Sequence, residues 1–185
     1  MEIVSGKLRG LQLRPPKGYE ARPTSVRARQ ALFDSLGPLD DLIVADLFAG
    51  TGAIGLEAAS RGAAYVLFAD SSRASCGIIR MNCEKAEKIA ETAQFDIVTG
   101  ALPGCCRRLA SHAKPNLIFA DPPYAESGTL LTGLLGNADF TQWASNALLI
   151  WEIPSKGGMP PPPSSWRLEN IREFGGVRFF FFRVQ

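Results

Sequence analysis

Apolar residues in this chain fall into two kinds of stretch: short, mostly apolar runs and longer segments with helical spacing. The runs at 42–47, 65–69, 95–98, 116–120 and 147–153 contain at most one polar residue each. Runs of this length suit strands buried on both faces. Between them lie helical stretches. Residues 72–90 set Ile78, Ile79, Asn82 and Ala86 at helical spacing. Shorter helices are expected through Leu56-Glu57-Ala58-Ala59, through Arg107 and Leu109, and over 128–135. Strands alternating with helices predict a parallel sheet with helices on both faces. The last two apolar segments, 166–174 and 177–184, flank Gly175-Gly176, a hairpin signal. One edge of the sheet is therefore expected to be antiparallel, giving seven strands in all.

The first 38 residues follow another pattern. Ile3-Val4-Ser5 and Leu11-Gln12-Leu13 flank a polar, glycine-bounded segment, the spacing of a small hairpin. Pro15, Pro16 and Gly18 then break the pattern. Thr24 can cap a helix whose apolar face runs through Val26, Ala28, Ala31, Leu32 and Leu36, and Gly37-Pro38 ends it. The expected division is an extension over 1–38 and an α/β domain over 39–185.

Composition narrows the classes without choosing among them. The 185 residues are 46% hydrophobic and 21% charged, values of a globular domain. No run reaches the roughly 18 apolar residues of a membrane span, and the first residues lack a signal peptide's apolar core. A cytoplasmic protein is the expectation. Cys76, Cys83, Cys105 and Cys106 show no C-x-x-C spacing, and His112 is the one histidine. No metal is therefore expected, and triads built on histidine lose their basis. The net charge of +2 is unevenly distributed. Residues 1–30 hold seven Lys or Arg against two Glu, which is +5 and leaves −3 for the rest. A basic arm on a mildly acidic body is a footprint for a polyanion.

The chemistry concentrates at two turns. Asp121-Pro122-Pro123-Tyr124 follows the fourth apolar run and so falls at a strand's carboxyl end, where open α/β sheets bind ligands. Neither proline donates a backbone hydrogen bond and both have a fixed φ. The turn is stiff, with carbonyls free to face a ligand. A carboxylate and a carbonyl can accept the N–H bonds of a flat amine while the aromatic ring stacks on its face. A nucleobase amine has those properties. A strand-ending turn with a capping aspartate is the plainer alternative.

Asp46-Leu47-Phe48-Ala49-Gly50-Thr51-Gly52-Ala53-Ile54-Gly55 follows the first strand of the α/β domain and opens a helix. Gly50, Gly52 and Gly55 give G-x-G-x-x-G in the context that motif requires. Asp70 ends the next strand, 15 residues after Gly55, where an acid can accept both hydroxyls of a ribose. Together they imply a nucleoside-bearing cofactor. NAD would leave the proline turn without a role. S-adenosylmethionine would use the same glycine turn and ribose acid, with Asp46 suited to its ammonium group and a methyl group facing the amine held at Asp121.

These motifs carry a resemblance. The 46–55 turn with Asp121-Pro122-Pro123-Tyr124 is similar to amino-methyltransferases acting on nucleic acids. Gly6-Lys7-Leu8-Arg9-Gly10, Arg22-Pro23-Thr24 and Arg27-Ala28-Arg29-Gln30-Ala31-Leu32-Phe33-Asp34 resemble the N-terminal signature of the RsmD-type 16S ribosomal RNA guanine-N2 methyltransferases. The resemblance runs almost end to end. It implies a Rossmann-like class I methyltransferase fold, a mostly parallel seven-stranded sheet with an antiparallel C-terminal hairpin, and a small hairpin-and-helix extension. It implies that Asp46, Phe48, Gly50, Gly52, Gly55 and Asp70 bind S-adenosylmethionine, and that Asp121, Pro122 and Tyr124 hold the target base. It assigns Lys7, Arg9, Arg22, Thr24, Arg27 and Arg29 to ribosomal RNA within the small subunit or its precursor. Three positions depart from the family pattern: Thr99-Gly100-Ala101 has no carboxylate to read the adenine, Gln30 replaces a common Glu, and Asp70 replaces a frequent Glu. Other readings of the same residues are an enzyme on a DNA adenine or cytosine or on a protein glutamine, a non-catalytic RNA-binding module, and an NAD-linked oxidoreductase.

Overall fold

The structure, a computed structural model, describes residues 1–15, 26–91, 93–154 and 158–185. Its centre is one seven-stranded sheet formed by β1 (Ile43–Leu47), β2 (Tyr65–Asp70), β3 (Gln94–Thr99), β4 (Leu117–Ala120), β5 (Leu148–Pro154), β6 (Trp166–Phe174) and β7 (Val177–Val184). The spatial order is β3-β2-β1-β4-β5-β7-β6. The first five strands are parallel to one another, and β7 is antiparallel to both β5 and β6. The chain winds outward from β1 to β3 on one side and returns to β4 on the other. The crevice between β1 and β4 is thus the topological switch point, where ligands bind in sheets of this kind.

Helices cover both faces. The first face takes α1 (Val26–Leu36), α2 (Ala53–Ser60) and α3 (Arg73–Glu87), through Leu32, Phe33, Leu56, Ile79 and Ala86. The second takes α4 (Cys106–Leu109), α5 (Ser127–Leu135) and α6 (Ala138–Trp143), through Leu109, Leu131, Leu134, Phe140 and Trp143. Successive residues of a strand point to opposite faces, so the run Phe179–Phe182 serves both layers. Phe179 and Phe181 enter the first core, and Phe180 and Phe182 the second. Gly175 and Gly176 sit at φ +60° and +82°, the left-handed pair that a two-residue hairpin turn requires.

The N-terminal segment packs into the first core through Ile3, Leu8, Leu11 and Leu13. It makes a single antiparallel bridge, Glu2 to Gln12, with Ile3 N–H donating to the Leu11 carbonyl at 3.1 Å. Helix α2 holds it in place. Val4 N–H donates to Glu57 Oε2 at 2.9 Å, and Leu8 N–H to Ser60 Oγ at 2.8 Å.

Most expected elements lie within a few residues of their observed bounds. Helix α6 was not anticipated. At six residues it is too short to show a period, although Asn137 caps it by accepting from Phe140 N–H at 3.0 Å. The proposed cap at Thr24 lies outside the described residues. Among the described residues, no helix is long and apolar enough to cross a membrane. No described group of three His, Cys, Asp or Glu side chains could hold a metal ion.

Candidate active site

Strand register assembles the site. Leu47 pairs with Ala69 on one side and with Ala120 on the other. The residues that follow, Phe48, Asp70 and Asp121, therefore leave the sheet side by side at its carboxyl edge. They line one cleft of about 600 Å³ with Gly50, Ser71, Ser75, Pro122, Pro123 and Tyr124. That volume falls within the usual range for a small-molecule site.

The glycine turn forms one wall. Phe48, Gly50 and Gly52 have φ of +61°, +55° and +77°, and the two glycines reach that region without a Cβ penalty. Asp70 fastens the turn: one carboxylate oxygen accepts from Gly50 N–H and the other from Ser72 N–H, each at 2.8 Å. A carboxylate has about four acceptor positions, so Asp70 keeps capacity toward the cleft. Gly55 permits close packing of α2 on β2, since a Cβ there would lie 2.3 Å from Phe68 Cε1.

Asp46 lies behind the turn, 3% exposed, and accepts from Gly55 N–H at 2.9 Å. Its pKa is raised well above the ordinary carboxylate value, first by burial and then by the charges of Asp121 and Asp70, with the Gly55 bond opposing. Asp46, Asp121 and Glu152 also border a small void beneath the cleft floor. The structure thus places Asp46 as the anchor of the turn, while Phe48, Gly50 and Asp70 line the cleft.

The proline turn forms the opposite wall. Pro123 has φ −53° and ψ 128°, and a single 3-10 turn, Tyr124–Glu126, leads into α5. Asp121 is exposed at the cleft, with protein packed close about the base of its carboxyl group. That packing raises its pKa to about 6. It combines an acceptor's geometry with a basicity above that of an ordinary aspartate.

The basic residues separate into distinct places. Lys7 and Arg9 are exposed on a loop whose Lys7 N–H donates to the Ser60 carbonyl, at the C-terminal end of α2. The glycine turn is at the other end of that helix. An eight-residue helix is about 12 Å long, so these two cations stand off from the cleft. Two ion pairs, Arg29 with Glu57 at 3.8 Å and Arg61 with Asp34 at 2.8 Å, set α1 parallel to α2. Because α2 starts at the glycine turn, the exposed Arg27 in the first turn of α1 comes to the cleft end. Arg22 and Thr24 lie outside the described residues.

Arg29 requires a correction. It is 2% exposed, paired with Glu57 and donating to the Glu2 carbonyl. It sits beside Ala28 on the buried face of α1, so it braces the N-terminal segment and is not available to a phosphate. His112 is also remote. It contacts Asp96 and Tyr65 near the amino ends of β2 and β3, opposite the cleft.

Several contributors were not visible to sequence reasoning. Ser71 lines the cleft from the β2–α3 connection and Ser75 from the first turn of α3. Trp151 supports both walls from below, and Asn82 ties the glycine turn to the N-terminal segment. No local motif marks these residues; only the strand order brings them to the site.

Comparison with known proteins adds an independent line. A protein-family model described as conserved hypothetical protein 95 matches residues 1–183. The ribosomal RNA small subunit methyltransferase D of Escherichia coli (strain K12) is 31% identical over 181 residues, spanning 97% of this chain and 87% of that protein. Among solved structures, a hypothetical protein of Thermus thermophilus aligns over 100% of this chain and 99% of its own, with a TM-score of 0.76 and 26% identity. A protein described as a putative methyltransferase, solved in complex with SAH, shares the fold at a TM-score of 0.60 and 15% identity, covering 84% of this chain and 48% of that one.

Proposed function

Since the chain belongs to the conserved hypothetical protein 95 family, we propose that it methylates the exocyclic N2 amine of a guanine in small-subunit (16S) ribosomal RNA. The enzyme is a methyltransferase dependent on S-adenosylmethionine. The observation that carries the substrate reading is a single cleft at the β1–β4 switch point. It is walled on one side by a glycine turn with a ribose-type acid and on the other by Asp121-Pro122-Pro123-Tyr124.

The residues present fit that cofactor. Gly50 and Gly52, at positive φ, make a backbone cradle beside the cleft. Asp70 retains acceptor capacity for ribose hydroxyls, and Phe48 offers an apolar wall. S-adenosylmethionine bound there supplies an electrophilic methyl group. The protein's own part is to prepare the acceptor. An exocyclic guanine amine is a poor nucleophile because its lone pair is delocalised into the ring. In this reading Asp121 and the Pro122 carbonyl accept its two N–H bonds, which favours a pyramidal nitrogen and turns the lone pair toward the glycine turn. Asp121, raised to about 6, is a better acceptor for the departing proton than an ordinary aspartate. Tyr124 stacks on the base, worth about 1–3 kcal/mol, which offsets part of the cost of taking that base out of its stack. Orientation of this kind can contribute about 7–11 kcal/mol to a barrier.

Lys7, Arg9 and Arg27, with Arg22 and Thr24, are assigned to the RNA backbone in the small subunit or its precursor, in the cytoplasm. The spread of Lys7 and Arg9 away from the cleft favours an extended RNA surface over a single nucleotide. The test is transfer from methyl-labelled S-adenosylmethionine to naked 16S RNA and to small-subunit particles, with mapping of the labelled base. Label on guanine N2 is expected. Label on another base or position of the RNA, or only on protein, would overturn the substrate.

A further inference from the structure

We propose that Trp151 is a positioning residue that sets the separation of the two walls of the cleft. The inference rests on the reading above, in which a donor occupies the glycine-turn wall and an amine the proline-turn wall.

Trp151 lies on β5, fully buried, and touches both walls. Its ring meets that of Phe48 edge-on, with centroids 6.0 Å apart and planes at 81°. Its indole N–H donates to Ser127 Oγ at 2.8 Å in a buried hydrogen bond. Ser127 begins α5, directly after the 3-10 turn Tyr124–Glu126. The Trp151 backbone pairs in register with Ala120, the residue before Asp121. One rigid side chain thus reaches the donor turn, while its indole N–H and backbone fasten the acceptor turn at both ends.

Two features separate this arrangement from ordinary core packing. Phe48 is a non-glycine residue at φ +61°, a backbone state that persists only where its surroundings hold it, and Trp151 is an aromatic neighbour of it. Ser127 is 4% exposed, so its hydroxyl is an interior partner for the indole N–H. Any buried indole N–H needs a partner, and those of Trp143 and Trp166 have one too; what distinguishes Trp151 is that its partner is the first residue of α5, directly behind the proline turn.

Displacing reacting groups by about 1 Å can cost about 100-fold in rate. Trp151→Phe keeps a ring but removes the N–H, and Ser127→Ala removes the acceptor. In methyl transfer to small-subunit particles, each is expected to lower kcat by about 10- to 100-fold. The Kd for S-adenosylmethionine and the KM for the particle should change by less than about threefold, since ground-state binding is kept. The double variant should be no slower than the worse single variant, because both remove the same bond. Ser127→Thr, which restores a hydroxyl, should recover most of the loss. Assays run well below each variant's Tm, with the folded fraction measured by circular dichroism, exclude simple unfolding. If Trp151→Phe does not fold, Ser127→Ala and Ser127→Thr carry the test. Wild-type kcat in folded Ser127→Ala, or losses that multiply in the double variant, would overturn the strut. Absence of transfer by the wild type to any RNA or particle would instead overturn the functional reading, and the strut with it.

Discussion

Asn82 donates its side-chain amide to the carbonyl of Thr51 at 3.0 Å, inside the protein and between Gly50 and Gly52 of the glycine turn. The same amide pairs with the backbone of Arg14, accepting from its N–H at 3.0 Å and donating to its carbonyl at 3.2 Å. One fully buried side chain on α3 therefore joins the N-terminal segment to the turn. Each buried polar group left without a partner costs about 1–3 kcal/mol. Asn82→Leu is expected to lose roughly 2–4 kcal/mol in urea denaturation and to weaken S-adenosylmethionine binding by several-fold in calorimetry. Unchanged affinity would mean that the turn holds its shape without the amide.

Asp121 is expected to matter to transfer and not to cofactor binding. Asp121→Ala should reduce methyl transfer by at least about 100-fold, the lower range for loss of a positioned acid–base group. Calorimetric binding of S-adenosylmethionine should be retained. Full activity in this variant would remove Asp121 from the mechanism.

The raised pKa of Asp121 has consequences of opposite sign for activity and stability. As the carboxylate is the form that accepts N–H bonds, kcat/KM should rise with pH through about 6. For stability, a folded-state pKa above the unfolded value of 3.8 means that the native state holds its proton longer. The contribution of Asp121 to stability therefore falls as pH rises from about 4 through 6. Asp121→Asn should escape that loss and melt higher than wild type at about pH 7, while being inactive. Denaturation of both proteins across about pH 4–8 checks the sign.

At Gly55 the constraint is space. Its added Cβ would lie 2.3 Å from Phe68 Cε1 and 2.8 Å from Val66 Cγ1. Gly55→Ala gains helix propensity of about 1 kcal/mol, but overpacking costs about 1–3 kcal/mol and α2 must lift from β2. Net destabilisation and weaker cofactor binding are expected. A variant more stable than wild type would show that Phe68 can move away.

The arginines of the first 30 residues should divide by burial. Arg9→Gln and Arg27→Gln, both at exposed positions, should each lower the slope of log K for RNA against log salt by about 1. Arg29→Gln should leave the slope unchanged and lower stability by roughly 3 kcal/mol, the scale of a broken buried pair. A change in slope for Arg29→Gln would contradict its structural role.

Much of this was legible in the chain because it depends on near neighbours. Alternating apolar runs and helical segments defined the α/β class. Gly175-Gly176 marked the hairpin because two adjacent left-handed residues suit glycine. The glycine turn and Asp121-Pro122-Pro123-Tyr124 stood out as the two turns that line the cleft, because short motifs restrict their own backbone. Other properties arose only from packing. Setting β1 between β2 and β4 brought Phe48, Asp70 and Asp121 to one edge, and sequence separation carries no trace of that adjacency. The charge of Arg29 predicted a polyanion contact, but the face of α1 that turns inward is decided by what lies beneath it. Trp151 and Asn82 read as core residues at their own positions. Their partners lie 24 to 103 positions away in the chain, and only folding brings those partners within bonding distance.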